Sequence, residues 1–194
     1  IFLVVLCDKI LQITPAITMR TILLLVGLAG ILSASAQSSA PTKEEVYKVY
    51  ANLVGGKWET KGQWASGAAF HQEITVEWEL TKNIFIVKTH DYVDSKQFDQ
   101  AMRNYGIRAW DNATQTMQFW EFDVFGGVVT GTVQVQSNHL YHIYQYPDKK
   151  GGTMTLADVW EYVDKDTYNF KVCTYENGKP GKVFMNSTYH RKQL

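Results

Sequence analysis

Of 194 residues only 2 are Cys and 4 are Pro, and 19 Lys and Arg are cancelled by 19 Asp and Glu. Two thiols cannot staple a small disulfide scaffold. Without net charge there is no basic footprint for a nucleic-acid backbone or an anionic membrane surface. The sequence also has no G-x-S-x-G elbow, C-x-x-C, H-E-x-x-H or Gly-rich phosphate loop. The common signatures of hydrolytic, redox and phosphate chemistry are therefore missing. Apolar and aromatic residues are abundant: 45% of the chain is hydrophobic and 13% aromatic, with 6 Trp and 11 Tyr. That composition excludes disorder and suits one globular domain with a targeting segment.

Met19-Arg20 is followed by the apolar run Thr21 to Leu32 and then by Ser33-Ala34-Ser35-Ala36-Gln37. A positive start, a short apolar core and an A-x-A site are the order of a secretory signal peptide. The run is too short for a membrane anchor, which needs about 20 apolar residues. The expected organisation is an upstream non-mature segment at 1–18, a signal peptide at 19–36 cleaved after Ala36, a linker at 37–42 and one domain at 43–194. The expected location is the periplasm or the cell exterior. Cys7 leaves with the leader, so Cys173 becomes a lone thiol, expected to act as a small apolar residue in a strand.

Thr42-Lys43-Glu44-Glu45 has the S/T-x-x-E form of a capping box. Val46, Val49, Tyr50 and Leu53 follow at the spacing of one helical face, and Gly55-Gly56 is expected to stop the helix. From Lys57 onward the period becomes two. Phe70, Ile74, Val76, Trp78 and Leu80 alternate with polar residues, and comparable segments recur with turn chemistry between them. Strands are predicted at 57–65, 69–80, 83–93, 103–111, 115–125, 128–136, 139–146, 153–163, 167–176 and 182–191, with 94–102 a longer connection. About ten meandering strands behind a short N-terminal helix predict an all-β fold, a closed antiparallel up-and-down barrel. Closure removes the edge strands and can leave room for one small ligand.

Within such a barrel, His139 and His142 point to opposite faces of their strand and cannot share a metal ion. No metal site is expected. Glu73, Glu77 and Glu79 fall on a solvated outer face. Glu121 and Asp123 share a face with Met117 and Phe119, and Asp158 shares one with Leu156 and Trp160. A carboxylate on an apolar face must be paired or its pKa rises, and Arg108, Lys88 and Arg103 are available partners. Aromatic residues with a few polar groups are the usual lining of a small-molecule site. The lumen candidates are Trp78, Arg108, Trp120, His142, Tyr144, Asp158 and Trp160.

Gly56-Lys57-Trp58, opening the first strand after a helix, resembles the G-x-W signature of the calycin group, which includes lipocalins and fatty-acid-binding proteins. Arg191 matches the late basic residue that packs across that Trp at the closed end of calycins. The stretch Gly106-Ile-Arg-Ala-Trp110-Asp111-Asn-Ala-Thr114-Gln-Thr-Met-Gln-Phe119-Trp120 is similar to a hairpin of small secreted bacterial domains with calycin-like barrels related to nitrobindins. The resemblance spans residues 43 to 191 and departs from nitrobindins at Thr60, where they carry Gly. It implies a haem held by a His in the last strand, yet Val183 to Thr188 contains none and His190 adjoins Arg191. The expected function is non-enzymatic binding of a small hydrophobic or amphipathic molecule in the lumen, without cofactor. The alternatives are a haem-dependent enzyme of nitrobindin type and a solid barrel that serves structure or interaction.

Overall fold

A computed structural model of the chain describes residues 40–63, 67, 69–92, 100–148 and 151–192. The expected leader, its cleavage site at Ala36 and most of the 94–102 connection lie outside them. One helix, α1 (Lys43–Ala51), precedes ten strands: β1 (Lys57–Gln63), β2 (Ala69–Glu79), β3 (Ile84–Tyr92), β4 (Gln100–Asp111), β5 (Thr116–Asp123), β6 (Val128–Gln136), β7 (His139–Pro147), β8 (Thr153–Asp164), β9 (Thr167–Glu176) and β10 (Lys179–Lys192). Every neighbouring pair is antiparallel, and β10 returns to β1, so the sheet is a closed barrel in chain order. The expected fold class is the observed one.

Three boundaries differ from the sequence reading. The helix ends on Asn52, whose backbone is still right-handed, and Gly55 and Gly56 turn the chain into β1 with φ near 80°. β4 begins at Gln100, so the end of the expected 94–102 connection is strand. β10 begins three residues early, at Lys179, and takes in Pro180. Proline is tolerated there because it needs no ladder donor on the edge turned from β9, and the ladder bulges just beyond it.

The capping box forms as the sequence requires. The Thr42 hydroxyl accepts from the Glu45 N-H, and Glu45 Oε2 accepts from the Thr42 N-H at 2.7 Å. The helix then sets Val46, Tyr50 and Leu53 against one mouth of the barrel. There they join Trp58, Ile74, Val76, Phe85, Met117, Phe119, Val133, Leu140, Trp160, Tyr168 and Tyr189 in a single core. The dry packing is thus concentrated at the helix end. A smaller cluster on the outer wall, Tyr141, Ala157, Val159, Cys173 and Tyr175, is buried by its own rings, and the Cys173 thiol contacts the Ala157 carbonyl at 3.7 Å.

Barrel closure is uneven. β1 pairs with β10 only at Lys57, Trp58 and Glu59, whereas it pairs with β2 along its whole length. Beyond Glu59 the two strands splay, leaving a cleft of about 510 Å³ lined by Thr60, Gly62, Phe70, Asn186, Ser187 and Thr188 among others. A hydroxyl contact between Thr60 and Ser187 bridges the gap. The phenyl ring of Phe70 lies over Gly62, where any Cβ would fall 2.7 Å from it.

Two measurements test this account. Trp58 is fully buried and its indole N-H donates to the Leu53 carbonyl at 2.8 Å. Trp58→Phe strands that carbonyl and leaves space, so urea unfolding should show a loss of about 2 kcal/mol. Leu80, Thr81 and Lys82 all hold positive φ, with Thr81 at 54°. A β-branched residue is strained there, and Thr81→Gly should raise stability by about 1 kcal/mol in the same assay.

Candidate functional site

Alternation decides which side chains enter the lumen. On β8 the inward row is Leu156, Asp158, Trp160 and Tyr162. On β7 it is Leu140, His142 and Tyr144, and on β5 Met117, Phe119 and Glu121. Arg108 enters from β4, opposite Phe85 and Phe119 in the ladder. Four of the expected lumen residues, Arg108, His142, Tyr144 and Asp158, therefore meet in one layer across the barrel.

Arg108 is 1% exposed and is neutralised by Glu121, to which its Nη2 donates in a close ion pair. The guanidinium lies 5.4 Å from the Phe119 ring centroid. Gly106 makes that path possible, since a Cβ at that position would sit 2.2 Å from Arg108 Nη1. Arg108 Nε and the neighbouring Asn104 Oδ1 are buried without a hydrogen-bond partner. Enclosed polar atoms of this kind are costly, so two in one layer are informative.

His142 is also 1% exposed. Its Nδ1 donates to the Asp158 carbonyl at 3.3 Å, leaving Nε2 to accept from the Tyr50 hydroxyl in a close contact. Burial, reinforced by the Arg108 charge, holds its pKa well below the ordinary imidazole value, so the ring is neutral. The Tyr144 hydroxyl donates to Asp158 Oδ1 at 3.0 Å. Burial is the main reason the Asp158 carboxyl is pushed up to about 7; the Tyr144 bond opposes this and the Glu121 charge adds to it. Asp158 therefore changes charge near neutrality, as few carboxylates do.

Trp120 is a correction. It is 37% exposed on the outer wall, because it alternates with Phe119 and Glu121, and a period of two gives them the inner face. Trp78 and Trp160 do face inward but serve the helix-end core. Trp78 packs 3.9 Å from Phe85 between ring centroids, and Trp160 5.7 Å from Tyr168. Of the partners available to the inward acids, Arg108 takes Glu121, while Lys88 pairs on the outside with Glu77 at 2.7 Å. Arg103 lies 3.6 Å from Asp91. The sequence reading missed Tyr50, Asn104 and the chain Tyr189–Gln72–Asp91, in which Gln72 bridges at 2.5 and 2.9 Å. Asn104 carried a usable signal: it shares parity with Gly106 and Arg108.

The signature residues meet at the closed end. The Arg191 guanidinium stands 4.2 Å from the Trp58 ring centroid, and its nitrogens donate to the carbonyls of Lys165, Asn52 and Gly55. A Cβ at Gly56 would lie 3.3 Å from Arg191 Nη1.

Haem does not fit this donor set. Among the described residues His142 is the inward histidine, and both its ring nitrogens are engaged. His71, His90, His139 and His190 lie on the outer wall, paired in the ladders with outward residues. On that wall Glu59, His71 and Glu73 place ligand atoms within 4.8 Å of one another, but Lys57 and Lys192 each hold Glu73 at 3.0 Å. A second outer groove of about 340 Å³ runs over Val159, Glu161, Asn169 and Lys171.

No protein-family model matches the chain, and no curated protein matches it. Among solved structures, a redesigned β-barrel is similar at 11% identity and a TM-score of 0.38, covering 75% of this chain and 96% of that one. That degree of likeness carries no functional argument.

Asp158 gives the site a pH signature. Its folded pKa lies above that of an unfolded Asp, so the folded state keeps the proton longer and stability falls as pH rises from about 4 to 7, by up to ~1.4 kcal/mol per unit. His142 works in the opposite sense: its depressed pKa makes stability rise up to the unfolded value of about 6.5. The advantage of Asp158→Asn over the parent should therefore grow between pH 4 and 7 and level off above, as measured by urea unfolding at stepped pH. The variant alone should show stability rising towards pH 6.5.

Proposed function

We propose that this barrel binds one small, partly apolar molecule in its lumen and performs no chemistry on it. One observation carries the reading: a group of inward residues on β4 to β9 keeps accessible surface. At the helix end Trp58, Phe85, Met117, Leu140, Tyr168 and Tyr189 are all at or below 1% exposed. Although Phe70, Gln72 and Leu156 are buried, at and beyond the level of Arg108 and His142 the inward Asn104, Glu121, Val129, Tyr144, Asp158 and Val172 keep accessible surface. Asp158 does so between Leu156 and Trp160, which are both buried. A solid barrel would pack these positions as it packs the helix end.

The chemistry of the lining agrees. A pocket of apolar walls with a few polar groups suits a small ligand, and the groups present are engaged with one another rather than arranged as nucleophile and base. His142 is fixed by Tyr50 and by the Asp158 carbonyl, and no described Ser, Thr or Cys hydrogen-bonds it. Support for a calycin-like reading comes from the Trp58–Arg191 contact at the closed end, which the G-x-W resemblance implies. Secretion or a periplasmic location follows from the leader-like sequence. No helix among the described residues is long and apolar enough to cross a membrane.

The test is titration with the neutral fluorescent probe N-phenyl-1-naphthylamine. A saturable, blue-shifted signal of one site per chain is expected. Val172 lies opposite Asp158 in the ladder and faces the lumen, so Val172→Trp should weaken the probe at least ten-fold while the far-ultraviolet spectrum is kept. Absence of saturable binding to the parent protein would favour a solid barrel.

A further inference from the structure

We propose that the molecule held in this lumen carries a cationic amine, seated between the carboxylates of Glu121 and Asp158 with its apolar body against Tyr144. This rests on the lumen-binding reading above and names the class of ligand.

The argument begins with which charges a ligand can touch. The lumen's central cation, Arg108, has a side chain 2% exposed, whereas that of Glu121, its partner, is 19% exposed. The guanidinium lies against Gly106 and the Phe119 ring, so of the two charges the carboxylate is the more accessible. Asp158, on the adjoining wall, also keeps accessible surface. Tyr144 engages Oδ1 of Asp158 and Arg108 engages Oε1 of Glu121. No hydrogen bond among the described residues reaches the second oxygen of either. The accessible groups are thus acceptors, and the positive charge is withdrawn behind them.

A carboxylate ligand would meet Glu121 before it met Arg108, and Arg108 is already neutralised. A protonated amine would meet two oxygens with spare lone pairs, beside the partly exposed ring of Tyr144. Arg108 Nε and Asn104 Oδ1, in the same layer, are enclosed without partners, so the polar network of this layer is incomplete.

Other ionisable groups around Asp158 leave this balance intact. From β7 they are His142, which is neutral, and Tyr144; from β9, Cys173; from β10, Tyr189; from β5 and β4, Glu121 and Arg108; and from α1, Tyr50, which binds His142. Burial pushes the phenols and the thiol up, so all stay uncharged through neutral pH. Asp158 is then the group whose charge changes there, giving the lumen one more negative charge above about pH 7 than below it.

The experiment is calorimetric titration of the full chain with octylamine, octanol and octanoate, which share a chain and differ in head group, at pH 6 and pH 8. Octylamine stays protonated at both. It should bind at least ten-fold more tightly than octanoate at pH 8 and gain about ten-fold between pH 6 and 8, as Asp158 passes from mostly neutral to mostly ionised. Octanol should not change. Asp158→Asn should abolish the gain and keep octanol binding. Octanoate binding as well as octylamine, or octanol and octanoate binding without octylamine, would overturn the amine assignment and leave lumen binding standing. If none of the three binds, both fall. The comparison of head groups in the parent protein decides the matter even if the variant does not fold.

Discussion

Closure of the barrel depends on Arg191. β1 and β10 share a ladder over only Lys57, Trp58 and Glu59, too few backbone bonds to hold two strand edges together against water. The guanidinium adds a fork that reaches three carbonyls from three parts of the chain: Lys165 in the β8–β9 turn, Asn52 at the end of α1 and Gly55 in the turn into β1. Hydrogen bonds from a charged donor contribute about 1.5–3 kcal/mol each when well formed, and the face of Trp58 lies beneath the same group. The residue ties helix, first strand and last strand at one point. The end of the barrel that must be sealed is also the end where the ladder is complete.

With that end fixed, the other half of the lumen is free to be polar. An apolar interior throughout would contribute more to stability, since a buried ion pair rarely outperforms hydrophobic residues of equal volume. Arg108 with Glu121 occupies positions that such residues could have filled. The helix offsets this by adding Val46, Tyr50 and Leu53 to the core that the strand side chains form. Tyr50 belongs to both regions: its ring stacks on Phe85 at 4.8 Å, and its hydroxyl ends the polar layer on His142.

Much of this was legible in the sequence, and the misses have physical causes. Strict alternation and turn chemistry located all ten strands, and the capping box located the helix start, because those signals are local. Parity placed Arg108, His142, Tyr144 and Asp158 inside. The same parity would have excluded Trp120, one position from Phe119, had aromatic content not been weighed above it. What alternation cannot give is depth along the axis. Trp160 and Asp158 share a face, yet Trp160 is core while Asp158, between buried Leu156 and Trp160, keeps part of its surface. Nor could it pair Tyr50 with His142, 92 residues apart, since that contact exists only once the helix has docked. The helix stop was misjudged for a simpler reason: Gly55 and Gly56 are needed for the turn into β1 and for the approach of Arg191, so their presence did not mark the cap.

The division along the axis bears on how the protein tolerates Asp158. A carboxyl whose pKa is driven up by burial makes the folded state less stable at neutral pH than an amide in its place would. Such a residue is maintained at a cost to folding, and costs of that kind gather at sites of binding rather than in cores. Here it stands beside a second accessible carboxylate and two unpartnered polar atoms, in the half of the barrel that Arg191 and α1 do not need for closure. An occupant that supplied a positive charge would pair with Asp158 and lower its pKa. The cost that Asp158 imposes on folding would then become part of the binding free energy.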